Sequence, residues 1–189
     1  MRLLEERILK EGRAVNEDIL RVDTFINHQV DPKLMAKCAE DFAAHFRGDG
    51  ITKVVTIESS GISPALFTAS EMGVPLVILK KQPSKVLNDN LFQTMVTSFT
   101  KGTNYELTLS KDVISENDHV LIIDDFLANG EAVTAAVRLL RMAHATVAGV
   151  GILIEKAFQP GREKIEDAGF KVYSLARIGS MSKDRIEFI

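Results

Sequence analysis

Cysteine is nearly absent from this sequence: Cys38 is the only one in 189 residues. A lone thiol excludes an intramolecular disulfide and is too little for a zinc centre built on thiolates. An excess of positive charge is also missing. The formal net charge is −3, which argues against a protein whose main task is to grip duplex nucleic acid. No run approaches the roughly 18 apolar residues of a membrane span. The charged, mixed start Met1-Arg2-Leu3-Leu4-Glu5-Glu6-Arg7 lacks the apolar stretch of a signal peptide. The four histidines, His28, His45, His119 and His144, show no metal-ligand spacing, so no protein-built metal site is expected. Repeats, low-complexity tracts and long linkers are absent too. What is present is a 46% hydrophobic share, enough for a packed core. A single cytoplasmic domain over 1–189 is expected, with no nucleic-acid or membrane partner.

The pattern along the chain is α/β. Residues 1–11 read as a short amphipathic helix with Leu4 and Ile8 on one face, ended by Gly12. Ile19, Leu20 and Val22 form a short extended piece. Asp31-Pro32 starts a helix by an Asp cap and a first-turn proline, running to about Phe46. Lys53 to Ile57 is a strand, Ile62 to Met72 a helix with Gly73 past its end, and Pro75 to Leu79 another strand. That is a β-loop-α-β unit of a parallel sheet. Thr94 to Phe99 and Tyr105 to Leu109 pair as a hairpin outside the sheet. His119 to Ile123 is an uninterrupted apolar strand, buried on both faces. A helix over about 131–143, a strand at 146–154, a helix at 161–168 and a strand at 170–175 complete the reading. His45 and His144 fall on helices.

The chemistry concentrates after the 119–123 strand. Val120-Leu121-Ile122-Ile123 is followed by Asp124-Asp125, then Phe126-Leu127-Ala128-Asn129, then Gly130 and a helix. In open α/β sheets ligands bind at the carboxyl ends of strands. Free N–H groups at the helix start suit a phosphate. Gly130 permits a backbone that a side chain resists. The two aspartates can accept bonds from sugar hydroxyls. An isolated Asp-Asp could equally cap a helix; the whole pattern is far more specific.

This segment resembles the donor motif of the type I phosphoribosyltransferases, whose donor is 5-phosphoribosyl-1-pyrophosphate (PRPP). The resemblance covers nearly the whole chain. It is most detailed toward bacterial members that use xanthine, through Val22-Asp23-Thr24-Phe25-Ile26-Asn27-His28-Gln29, Thr56-Ile57-Glu58-Ser59-Ser60-Gly61, Asp124 to Gly130, and Ile154-Glu155-Lys156-Ala157-Phe158-Gln159-Pro160-Gly161-Arg162. It implies a central, mostly parallel sheet flanked by helices. It further implies a small hood from about 1–35 and 155–189, and a flexible loop over about 82–103. Phosphoribosyl transfer to xanthine is the implied reaction, in a homodimer.

The resemblance also implies site roles. Asp124 and Asp125 would serve catalysis. Ala128, Asn129, Gly130, Glu131, Ala132, Ser59, Ser60 and Lys81 would bind PRPP, and the 58–61 loop would hold a non-proline cis peptide. Lys156 would donate to O6 and Asn27 to O2 of xanthine, with Leu20 as an apolar wall and Phe126 or Phe158 as a stacking face. Mg²⁺ would arrive chiefly on the donor's own oxygens, with Glu58 or Asp124 touching it through water. Guanine or hypoxanthine as secondary bases, a purine-responsive regulator and a bare nucleotide-binding module remain alternatives at this stage.

Overall fold

The computed structural model describes residues 1–81, 90–98 and 103–189. Its elements are α1 (Arg2–Glu11), β1 (Arg13–Ala14), β2 (Leu20–Arg21), α2 (Pro32–His45), β3 (Lys53–Ile57), α3 (Ile62–Met72), β4 (Leu76–Leu79), β5 (Leu91–Ser98), β6 (Thr103–Ser110), β7 (His119–Leu127), α4 (Glu131–Met142), β8 (Thr146–Lys156), α5 (Gly161–Asp167), β9 (Val172–Ser182) and β10 (Arg185–Phe188). Six strands form the main sheet in the order β10-β9-β8-β7-β3-β4. Neighbours are parallel from β9 through β4, and β10 is an antiparallel edge. This is the expected α/β architecture.

Strand β7 lies between β8 and β3, and its alternation divides the core. Leu121 and Ile123 pack with Leu4, Phe25, Phe42 and Ala65 on one side. Val120 and Ile122 pack with Val133, Leu139 and Leu140 of α4 on the other. All four β7 residues are fully buried, which explains the unbroken apolar run. On the second side the β5–β6 hairpin joins the layer through Val96, Leu107 and Leu109. Arg138 of α4 ties it down, donating to Thr94 Oγ1 at 3.1 Å and the Met95 carbonyl at 2.7 Å.

Helix starts follow local chemistry. Asp31 accepts from the Lys33 and Leu34 N–H groups at 3.0 and 3.1 Å, with Pro32 in the first turn. Gly73 closes α3 at φ +68°, where a Cβ would be strained.

Four boundaries differ from the sequence pattern. β7 runs on through the acid pair to Leu127, because β8 continues to Lys156 and supplies pairing partners: Phe126 faces Ile154 and Leu127 faces Glu155. The carboxylates interrupt the apolar pattern but not the ladder. β9 extends to Ser182 and turns back into β10, a hairpin whose polar alternation carries little strand signal. His144 is not helical; it sits at φ +58° just past α4. Asp23–Asn27 forms a wide helical turn burying Phe25 and Ile26, where no element was expected. Of the expected flexible loop over about 82–103, residues 82–89 and 99–102 lie outside the described residues; within it β5 starts at Leu91, ahead of the expected Thr94, and pairs with β6.

Cys38 is wholly buried on α2, and burial pushes its thiol up to about 12. A thiol in that state is nearly all protonated and unreactive. Native protein at pH 8 should therefore resist iodoacetamide, with labelling appearing only as the chain unfolds in denaturant. Rapid labelling of the native form would contradict this packing.

Candidate functional site

Three segments meet at the carboxyl ends of β3, β4 and β7. The first is the 58–61 turn between β3 and α3, which carries a cis peptide between Glu58 and Ser59. Ser59 is exposed and Ser60 half-buried. The second is Lys80-Lys81 past β4. Glu58 accepts from the Lys81 backbone N–H at 2.6 Å and pairs with the Lys80 ammonium at 3.3 Å. The Lys81 ammonium instead lies 5.4 Å from the Tyr105 ring centroid, and its charge favours ionisation of both aspartates. Lys81, the lysine expected from the sequence to meet the pyrophosphate, is thus the one whose charge acts on the acid pair.

The third segment is Asp124 to Ala132. Asp124 is 6% exposed and Asp125 half-buried. Asp124 Oδ1 accepts from the Asp125 N–H at 3.0 Å. Burial pushes the Asp124 carboxyl well above the usual carboxylate range, and the neighbouring Asp125 charge adds to it. Burial also raises Asp125. The two titrate as a pair, and the more deeply buried Asp124 holds its proton longer as pH rises. Gly61 explains how Asp124 fits: a Cβ there would stand 2.5 Å from both Asp124 Oδ1 and Thr56 Oγ1.

Beyond the acids the chain turns through Gly130 at φ +78° into α4. A cavity of about 150 Å³ lies over this turn, lined by Ala128, Asn129, Gly130, Glu131 and Ala132 together with Val96, Thr97 and Tyr105. The helix start contributes free N–H groups and a positive dipole end, so the cavity can take a phosphate. A second cavity of about 360 Å³ adjoins it, sharing Ala128 and Asn129 and lined further by Asn16, Asp18, Ile19, Lys156 and Gln159. The Lys156 ammonium bonds the Asp18 carbonyl and lies 5.8 Å from the Phe126 ring centroid. Burial lowers its pKa, partly offset by Asp18. A larger cavity of about 550 Å³ between α1 and α2 includes none of these residues.

The predicted PRPP residues at 128–132 line one cavity, and Lys156 lines the next. Leu20 and Asn27 line neither. Leu20 is 8% exposed and packs in the core, while its neighbour Ile19 lines the second cavity. Asn27 ends the wide turn with its Oδ1 buried and without a partner among the described residues. Phe158 is 42% exposed. Tyr105, Thr97, Asn16 and Gln159 were missed. Asn16 carried a signal: it accepts from the Asp18 and Ile19 N–H groups at 2.9 and 2.8 Å, an Asx turn before a short strand. Tyr105 and Thr97 carried none, since only the packing of the hairpin brings them over the 128–132 turn.

A sheet of this topology, with a free helix start beside a buried acid pair at its strand ends, is the arrangement of an α/β enzyme suited to a phosphorylated ligand. The comparisons narrow this. Residues 29–178 match the family described as phosphoribosyl transferase domain. The chain is 66% identical to xanthine phosphoribosyltransferase of Agathobacter rectalis, covering 100% of this chain and 98% of that one. It is 59% identical to xanthine phosphoribosyltransferase 1 of Clostridium botulinum, over 100% of both. Among solved structures, adenine phosphoribosyltransferase of Thermoanaerobacter pseudethanolicus superposes with a TM-score of 0.75 at 24% identity, covering 92% of this chain and 99% of that one. The chain belongs to the phosphoribosyltransferase family.

Proposed function

We propose that this protein transfers the 5-phosphoribosyl group from PRPP to N9 of xanthine, yielding xanthosine 5′-monophosphate and pyrophosphate in purine salvage. The observation that carries the reading is the adjacency of the two cavities, which share Ala128 and Asn129 in their walls. The 128–132 turn offers N–H groups to the 5-phosphate, and Lys156 stands in the adjoining space that a base would fill. Identity of 66% over the full chain with a xanthine-named relative supports the choice of base.

In the reaction the C1–O bond to pyrophosphate breaks, a C1–N9 bond forms, and the N9 proton leaves. The protein's part is alignment and charge. Asp124 and Asp125 bind the ribose hydroxyls, and their field favours an oxocarbenium-like ring. Asp125, the less buried acid, accepts the purine proton in this reading. Ser59, Ser60 and Lys81 receive the pyrophosphate. Lys156 donates to O6, where the amino group of adenine would meet it donor to donor. The roles of Asn27 at O2 and of Leu20 as an apolar wall rest on the likeness to xanthine-named relatives, since neither residue lines the two cavities.

Mg²⁺ bound through PRPP neutralises the leaving pyrophosphate when present. Glu58 or Asp124 would reach it through water. Among the described residues no three histidine, cysteine or acidic side chains converge as a metal-binding group. The hood, formed from about 1–35 and 155–189, is supported by the Asp184 N–H bond to the Ala14 carbonyl at 2.9 Å. A homodimer in the cytoplasm completes the proposal. No helix among the described residues is long and apolar enough to cross a membrane.

Pyrophosphate release with PRPP, Mg²⁺ and each of xanthine, guanine, hypoxanthine and adenine tests this reading. Xanthine should give the highest kcat/KM and adenine none. No release with any base would refute transfer; a strong preference for guanine would remove the role of Asn27.

A further inference from the structure

The turn between β8 and α5 lines the second cavity through Lys156 and Gln159 and packs against the 128–130 backbone that lines the first. At its base Glu155, 1% exposed, takes a two-pronged bond from Arg162 at 2.8 and 2.6 Å. Arg162 also donates to the Val172 carbonyl at 3.0 Å and to Glu166 at 2.7 Å. Lys156 follows Glu155 directly, and its carbonyl accepts from the Gln159 N–H at 3.0 Å. Gly161 precedes Arg162, and its N–H bonds the Ala128 carbonyl at 2.9 Å. A Cβ on Gly161 would overlap that carbonyl and stand 3.0 Å from the Gly130 nitrogen; a Cβ on Gly130 would stand 3.2 Å from the Gly161 Cα. Two glycine backbones are therefore pressed together, with no room for a side chain on either.

One helical turn further on, Lys164 pairs with Glu131, the first residue of α4. Without that pair an acidic side chain would sit free at the helix end that receives the phosphate, where it competes with the anion.

Building on the transferase reading, we infer that the 155–162 turn and Lys164 are positioning elements for the phosphate loop. Gly161 sets the height of the 128–130 backbone. Lys164 draws the Glu131 carboxylate off the anion site. The Glu155–Arg162 clamp holds Lys156 at a fixed reach from that loop, so base and ribose phosphate are spaced by one rigid turn. The Lys164, Glu155 and Arg162 side chains act in this way without touching the donor.

The test is calorimetric binding of PRPP with Mg²⁺ to the full chain, with donor and xanthine KM measured in parallel. Gly161→Ala should weaken donor binding about tenfold or more, since small misplacements near the reacting groups cost heavily. Lys164→Met should weaken it about threefold, as befits a partly exposed pair. Lys164→Arg should bind like the unmodified chain. Xanthine KM should move far less than donor KM in each. Unchanged donor affinity in Gly161→Ala overturns the inference, and so does Lys164→Arg behaving like Lys164→Met. If Gly161→Ala does not fold, the Lys164 pair of variants decides. Because binding is read without turnover, failure of the xanthine assignment shows as absent turnover in the unmodified chain and is not confused with either result.

Discussion

Asp124→Asn should lower kcat/KM by on the order of 10²–10³-fold, the loss typical of removing one preorganised electrostatic group, while making the folded protein more stable at neutral pH. The second half follows from burial. The Asp124 carboxyl lies 6% exposed, against Asp125, and its pKa is raised well above the ordinary range, first by burial and then by that neighbour. For an acid with a raised folded pKa, the folded state binds the proton more tightly than the unfolded chain does. Folding is favoured most below the unfolded value, roughly 3.9, and that advantage is lost as pH rises through the folded value. Asn carries no charge at any pH, so it escapes the loss. The gain in melting temperature should be about 2–4 °C at pH 7.5, the scale set by 1 kcal/mol in a chain of this size. It should shrink as pH falls and vanish only below the unfolded value of roughly 3.9, where Asp124 is neutral in both states. Thermal unfolding at a series of pH values, beside steady-state kinetics, checks both parts. A destabilised Asp124→Asn at pH 7.5 would contradict the burial argument. Full activity would contradict the ribose role.

Gly61→Ala is the second large effect. Gly61 has an ordinary φ of −67°, so conformational freedom is not what the position needs. It needs the missing Cβ. The added atom would stand 2.5 Å from Asp124 Oδ1, 2.5 Å from Thr56 Oγ1 and 3.2 Å from the Ile57 carbonyl. Thr56 is fully buried and cannot retreat. Asp124 is the neighbour that must shift, and with it the ribose contact. Overpacking of this kind costs about 1–3 kcal/mol of stability. The displaced carboxylate should cost on the order of 10²-fold in kcat/KM. The check is denaturant unfolding beside kinetics, with Asp124→Asn–Gly61→Ala as the double variant. Both changes act through one carboxylate, so the double variant should lose little more activity than Asp124→Asn alone. Full multiplicative loss would mean that Gly61 works through another group.

Much of the fold was legible because its signals are local. β3 ends at Ile57 where β-branched residues give way to Glu58 and Ser59, and α3 ends where Gly73 permits a left-handed residue. The apolar core of β7 was read correctly, and its true end was not. Strand length there is set by what β8 offers across the ladder, which no local pattern encodes. His144 resembled helix and proved to be the turn after it, since residues 119 and 146 must be brought level for β8 to begin beside β7.

The site divides in the same way. Residues 124–132 are contiguous, so strand, acid pair, glycine turn and helix start could be recognised together from one stretch of chain. Local backbone chemistry alone suits such a turn to a phosphate. What the stretch could not contain is everything that reaches it from elsewhere. Gly61 makes room for Asp124, Lys81 goes to the Tyr105 ring while Lys80 goes to Glu58, and Tyr105 lines the cavity from a hairpin held by Arg138. Gly161 presses on the turn from more than thirty residues downstream. Those relations depend on distances between segments. Distances between segments are fixed only when the two core layers pack on either side of β7.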